Sequence, residues 1–222
     1  MGESVPLSNR IRTSPWSPVK GIHCLLRHLR RHRQNRQWRE LGISVAKGTF
    51  VDSGVTIGRF TNIHLLSHIG PCSIGSFCAI AGRLVVRSSN HSTSFANMQV
   101  SAQIELIQSS VKVAGLSRGE VSIGHASLIG DSVILLPGSS VGVGAVIGAG
   151  SVVTRAIPDF AIAAGNPARI LRMRFEPHVI KYLSEVSWWN WPLDKIRRNR
   201  DFFEVDFSLL SPDELLDVAI LD

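Results

Sequence analysis

Aliphatic residues recur at every sixth position along the second half of the chain: Ile123, Ile129, Leu135, Val141, Ile147 and Val153. Glycine follows four of the six, and the position four after each of the first five holds Ser127, Val133, Ser139, Ala145 or Ser151, all small or β-branched. That period fits neither the 3.6 of a helix nor the two-residue alternation of a half-buried strand. It predicts a parallel β-helix in which each hexapeptide is one flat face and three faces close a coil of about eighteen residues. The aliphatic side chain fills the shaft, the small residue packs beside it, and glycine is expected to supply the backbone freedom of a corner. The same period runs through Val45, Val51, Ile57, Ile63 and Ile69, then resumes one residue out of step at Ile74, Ile80 and Val86.

The two blocks therefore predict one solenoid over residues 42–172, interrupted by an aperiodic excursion over 87–120. Long excursions of this kind carry function or disorder. Pro158 and Pro167 end the regular ladder. Beyond it, residues 173–222 predict a helical tail: two helices over about 175–204 separated by Trp188, Trp189 and Trp191, then a segment opening at Ser211-Pro212-Asp213-Glu214 with the residues of a helix N-terminus. The tryptophans are expected to cover the solenoid end or a neighbouring subunit.

Consecutive hexapeptides, the Asn90-His91 pair in the excursion, Gly165-Asn166-Pro167-Ala168 and Trp188-Trp189-Asn190-Trp191-Pro192 together resemble the virginiamycin and xenobiotic (chloramphenicol) O-acetyltransferases, over roughly residues 45–205. The resemblance implies an all-β solenoid of left-handed coils, acetyl-CoA as acyl donor, and a homotrimer with active sites between subunits. One segment departs from the family. Where members commonly read Val-Trp-Ile-Gly, this chain reads Ser127-Leu128-Ile129-Gly130. With Phe95 the only ring of the excursion, Leu128 and Phe95 mark an acceptor-side pocket unlike one built for a large drug, and a saccharide hydroxyl is as good a candidate as an antibiotic.

Acyl transfer from a thioester to a hydroxyl needs a base, oxyanion donors and alignment of two substrates. Of eight histidines, His23, His28 and His32 fall in the N-terminal arm, His178 in the tail, and His64, His68 and His125 within coils away from the shaft positions. His91 alone lies in the excursion and matches the Asn-His motif, so it is the candidate general base, with Asn90 orienting the loop. Direct attack on the thioester needs no nucleophilic Cys or Ser. The run Gly148, Ala149, Gly150 and Ser151, followed by Thr154 and Arg155, offers a low-profile surface, and the resemblance implies that this region and Asn166, Pro167, Ala168 and Arg169 line the CoA groove. Arg155 or Arg169 offers a guanidinium fork to its phosphates.

Charge is concentrated at one end. Residues 1–40 hold nine Lys or Arg against two acidic residues, the whole net charge of +7, while the remaining fifteen cations and fifteen anions balance. Residues 1–41 read as a basic arm in which Ile22, Leu25, Leu26 and Leu29 share one helical face, suited to packing on the first coil or to weak contact with an anionic membrane surface or glycan. Nucleic acid is not expected, since the arm lacks interleaved aromatics. No stretch approaches the roughly 20 apolar residues of a membrane span, and no start resembles a signal peptide, so the cytoplasm is the expected compartment. Cys24, Cys72 and Cys78 have no zinc or CxxC spacing. Two alternatives stand beside the acetyltransferase: a noncatalytic solenoid scaffold or binding module, and a carbonic anhydrase-like metal enzyme, which needs three converging ligands where the coils offer His64 and His68. No metal is expected.

Overall fold

The computed structural model describes residues 36–221. The chain divides into two units, residues 1–40 and 41–222. Of the first, residues 36–40 form a helical turn with an Arg36–Glu40 ion pair of 3.1 Å, and the predicted Ile22–Leu29 stripe lies outside the described residues.

The second unit is a parallel β-helix. Its hexapeptides form strands of two or three residues stacked into three sheets of seven, five and five strands, which make three faces of a prism. The first face runs from Ser44–Val45 to the hairpin Ala161–Gly165 and Ala168–Met173, the second from Phe50–Val51 to Val152–Val153, and the third from Val55–Ile57 to Ala156–Ile157. Strands pair in parallel with the coil above and below, until the final hairpin closes the first face antiparallel. The shaft is built from the predicted aliphatics: Ile63, Ile80, Ile129 and Ile147 on the first face, Ile69, Val86, Leu135 and Val153 on the second, Ile74, Ile123 and Val141 on the third, all buried.

The one-residue slip is absorbed at the Gly70–Pro71 corner, after which Ile74 stays in register with Ile57. The excursion is inserted inside a single coil. Val86 ends a second-face strand, the chain leaves, and Ser122–Ile123 resumes on the third face, paired both to Cys72–Ile74 before the excursion and to Ser140–Val141 after it.

The small residues beside the aliphatics do more than save space. Ser127 Oγ donates to the carbonyls of Gly124 and Gly142 at 2.9 and 2.8 Å, Ser139 Oγ to Leu136 at 2.7 Å, and Thr61 Oγ1 to Gly75 at 2.7 Å. These hydroxyls satisfy carbonyls where the ladder turns, and among the described residues no buried side-chain polar atom is left without a partner.

The glycines act otherwise than expected. Those directly after the shaft aliphatic, such as Gly124 and Gly142, do not take positive φ; a Cβ there would lie 2.6 Å from Val143 N or 2.4 Å from Asp159 N, inside the backbone of the next coil. Close stacking, not conformational freedom, requires them. The left-handed residue comes two positions later, and between the third and first faces it is Phe60, Phe77, Ala126, Gly144 or Phe160, with φ between 54° and 63°. Left-handed geometry costs an L-residue roughly 1–2 kcal/mol. The phenylalanines offset it by stacking along that corner, Phe60 on Phe77 at 5.6 Å and Phe77 against Trp188 at 5.0 Å.

The tail packs on this same corner. Helices α1 (Pro177–Val186), α2 (Leu193–Arg198) and α3 (Pro212–Leu216) enclose a second core of Phe160, Val179, Leu183, Trp189, Phe202 and Leu215. Ser211 and Glu214 form a capping box at the start of α3. The tryptophans thus cover the side of their own solenoid along one edge, where the sequence suggested an end or a neighbouring chain. Arg59 fastens them, its Nη2 donating to the carbonyls of Trp189 (3.1 Å) and Trp191.

Candidate active site

His91 lies with Asn90 in a short strand paired antiparallel to Ala114–Leu116, a hairpin of the excursion's two arms. The excursion leaves and re-enters at the corner between the second and third faces, where Gly119 O accepts from Gly138 N at 3.1 Å. His91 is exposed, and its Nδ1 sits 2.7 Å from the carbonyl oxygen of Met98. A carbonyl only accepts, so Nδ1 is the donor in this contact. That donor role is set by a main-chain carbonyl that no sequence pattern marks. Asn90 is half-buried, and among the described residues its side chain makes no hydrogen bond to His91. Its contribution is the strand pairing Asn90↔Leu116.

The candidate groove residues occupy two other places. Gly148, Ala149 and Gly150 turn the corner between the first and second faces; Gly150 has φ +70°, and beyond its chain neighbours no heavy atom lies within 4 Å of where its Cβ would stand. The hairpin turn Asn166-Pro167 sits over the same corner, Gly148 abutting Ala164 and Gly165 N donating to Ser151 Oγ at 3.1 Å. Ser151 and Ala168 face the shaft instead of the surface, and Ser151 Oγ donates to Gly148 O at 2.5 Å, so these two shape the corner from within. Thr154 and Arg155 are exposed on the excursion's corner, one coil beyond Leu136-Pro137-Gly138, and among the described residues Arg155 has no hydrogen bond or ion pair. Arg169 is exposed, Nη1 donating to Ala168 O at 3.1 Å. Leu128 stands 48% exposed on the outer side of the first face, and Phe95 is exposed on the excursion. The structure therefore gathers the Gly148–Gly150 turn with Asn166-Pro167, and puts His91 on a different edge of the same prism.

The remaining histidines separate by environment. His64 is exposed, Nε2 3.3 Å from Asn62 Nδ2, and His68 is exposed against the Phe50 ring at 4.9 Å. His125 is structural: Nδ1 accepts from Ser76 N–H at 2.9 Å, and the ring stacks on Trp189 at 6.2 Å. Burial, with a smaller push from the Arg59 charge, holds its pKa below the ordinary histidine value. The unfolded chain then binds the proton more readily, so the stabilisation is complete above about pH 6.5 and is lost as pH falls through that range. His125→Asn, which keeps an acceptor for Ser76, should flatten the fall of the unfolding midpoint between about pH 7 and pH 5; equal slopes in the two proteins would contradict this assignment.

Neither described cysteine offers a nucleophile, and Cys24 lies outside the described residues. Cys72 is buried with its pKa pushed up to about 12, and burial also raises Cys78, whose Sγ donates to Gly124 O at 3.1 Å. Among the described residues no group of three or more His, Cys, Asp or Glu side chains is placed to hold a metal ion, and no helix is long and apolar enough to cross a membrane.

No family model matches the chain. It is 38% identical over 131 residues to a chloramphenicol acetyltransferase of Morganella morganii, covering 56% of this chain and 61% of that protein. It is 30% identical over 142 residues to a probable macrolide acetyltransferase of Lysinibacillus sphaericus, covering 61% of this chain and 78% of that protein. The chain belongs to the hexapeptide-repeat acetyltransferase family. Its fold is similar to that of a mutant N-acyltransferase from Bacillus cereus in complex with dTDP and coenzyme A, with a TM-score of 0.51 and 24% identity, covering 64% of this chain and 76% of that one. The chain spans about three fifths of the length of the Morganella morganii and Klebsiella aerogenes chloramphenicol acetyltransferases it matches.

Proposed function

We propose that the protein is an acetyl-CoA-dependent O-acetyltransferase that acts by direct attack of an acceptor hydroxyl, with His91 as general base. The observation that carries this reading is the His91–Met98 contact, which in the neutral imidazole leaves Nε2 as the acceptor, on an exposed loop. His91 takes the hydroxyl proton as that oxygen attacks the thioester carbonyl, and returns it to the sulfur as the carbon–sulfur bond breaks. No covalent enzyme intermediate is required, in keeping with two buried thiols of raised pKa.

Gly148, Ala149, Gly150, Asn166 and Pro167 would line the pantetheine path, because their corner carries little side chain, and exposed Arg169 would meet the phosphates there, while Arg155 on the excursion's corner could reach them only from a neighbouring subunit. Base and groove lie on different edges of one prism. A cyclic trimer would resolve this by setting one chain's excursion against the groove of the next, completing each site between subunits. Acceptors in this reading are hydroxyls of an antibiotic or a saccharide, with Leu128 and Phe95 on the acceptor side.

Acetyl-CoA turnover followed by thiol release, over a panel of antibiotics, simple sugars and glycan fragments, tests the reaction. Saturating CoA should also raise the unfolding midpoint and slow hydrogen exchange over residues 140–170, since a ligand that binds only the folded state stabilises it. Unchanged exchange there removes the groove assignment, and a sedimentation mass of one chain at micromolar concentration removes the trimer.

A further inference from the structure

Away from the acetyl-transfer site, the tail and the corner it covers form two adjoining, partly open cavities. The outer one, of about 720 Å³, opens between the end of the final hairpin and α1 and is lined by Arg172, Arg174, Phe175, Glu176, Ile180 and Lys181 among others. The inner one, of about 300 Å³, is walled by aromatic rings, including Phe160, Trp188, Trp189, Phe202 and Phe207. Arg174 and Phe175 belong to both linings.

Arg174 is the informative residue. It is half-buried, its Nη1 donates to Gly144 O at 2.7 Å, and its guanidinium lies 4.7 Å from the Phe175 ring centre. Among the described residues no carboxylate lies within ion-pair distance of it. A partly desolvated cation is costly unless an anion pairs with it, and one carbonyl and one ring occupy only part of its donor fork. Arg172 adds a second guanidinium at the mouth, and Lys181 a third cation, shared at 4.0 Å with Glu185; Glu176 is the one acidic group in the lining. The balance is cationic outside and aromatic inside. Both volumes fall in the range of ligand pockets, about 300–1,000 Å³.

We propose that this pair of cavities is a binding site for a soluble amphipathic carboxylate, its head on Arg174 and Arg172 and its apolar body among the rings of the inner cavity. The site is separate from the acetyl-CoA groove. Arg169 stands at the turn of the final hairpin and Arg174 just past its other end, five residues away, or roughly 16 Å along an extended strand.

The test compares four probes on the full chain below micelle-forming concentrations, by calorimetry and by tryptophan fluorescence, since Trp188 and Trp189 line the inner cavity. Octanoate should bind saturably. 1-Octanol, with the same tail and no charge, should bind at least about tenfold more weakly, and octylammonium and acetate should show no saturable binding. Arg174→Gln should weaken octanoate by about tenfold or more while leaving 1-octanol unchanged. Arg172→Gln, at an exposed position, should weaken it in the same sense and serves where the first variant does not fold. Octanoate that fails to saturate, that binds no tighter than 1-octanol, or that binds the folded variants as it binds the unmodified protein overturns the proposal. None of these readouts depends on acetyl transfer, so they stand or fall apart from it.

Discussion

Replacing His91 with alanine is expected to slow acetyl transfer by roughly 10²–10⁴-fold, the usual contribution of a positioned general base, with little change in CoA affinity or thermal stability. The split follows from the geometry. The imidazole is exposed and its side-chain bond is the one to Met98 O, so its removal opens no cavity in the shaft and strands no buried donor. His64→Ala is the proper control, being an exposed coil histidine with one weak neighbour. His125→Ala is not, because it removes the acceptor of Ser76 N–H and a ring stacked on Trp189. If His64→Ala abolishes turnover and His91→Ala retains most of it, the base has been misassigned.

The shaft was legible in the sequence because a six-residue period has one simple structural solution. Ile129 and Ile147 are buried neighbours in the fold because they are eighteen positions apart in the chain. The excursion was legible for the converse reason, as a loss of period between Val86 and Ile123. What the sequence concealed are contacts that cross the period. The Ser76–His125 bond spans the excursion, 49 positions, and Arg59 reaches the Trp189 and Trp191 carbonyls from 130 and 132 positions away. No local pattern encodes such pairs. For the same reason His125 reads as a surface residue until the tail is folded onto it.

The candidate site was readable only in part. The Asn-His motif and its loop pointed to His91, but the carbonyl to which its Nδ1 donates carries no residue-type signal. Ser151 and Ala168 turn inward instead: Ser151 holds the small-residue position of its hexapeptide just before the strand Val152–Val153, and Ala168 opens the final strand Ala168–Met173 with its side chain buried. Leu128 keeps the outward place that the hexapeptide register assigns it.

The glycines offer the sharpest physical test of the coil. Gly142→Ala is expected to destabilise the protein by about 3 kcal/mol, because the new methyl would lie 2.4 Å from Asp159 N and 2.5 Å from Pro158 C, and neighbouring backbone cannot swing aside as a flexible side chain can. Asp159 Oδ1 also accepts from Val143 N at 2.7 Å, so any shift that relieves the contact breaks a bond between coils. For a body of this size the unfolding midpoint should drop by roughly 6–12 °C. Gly150→Ala is the matched comparison. Its φ of +70° penalises an L-residue, yet the space around its Cβ is open, so it should cost only about 1 kcal/mol. The order of the two effects decides between explanations. Were backbone freedom the main requirement, Gly150→Ala would be the more damaging change, since Gly142 does not take positive φ. A midpoint lowered more by Gly150→Ala than by Gly142→Ala would therefore refute the stacking argument.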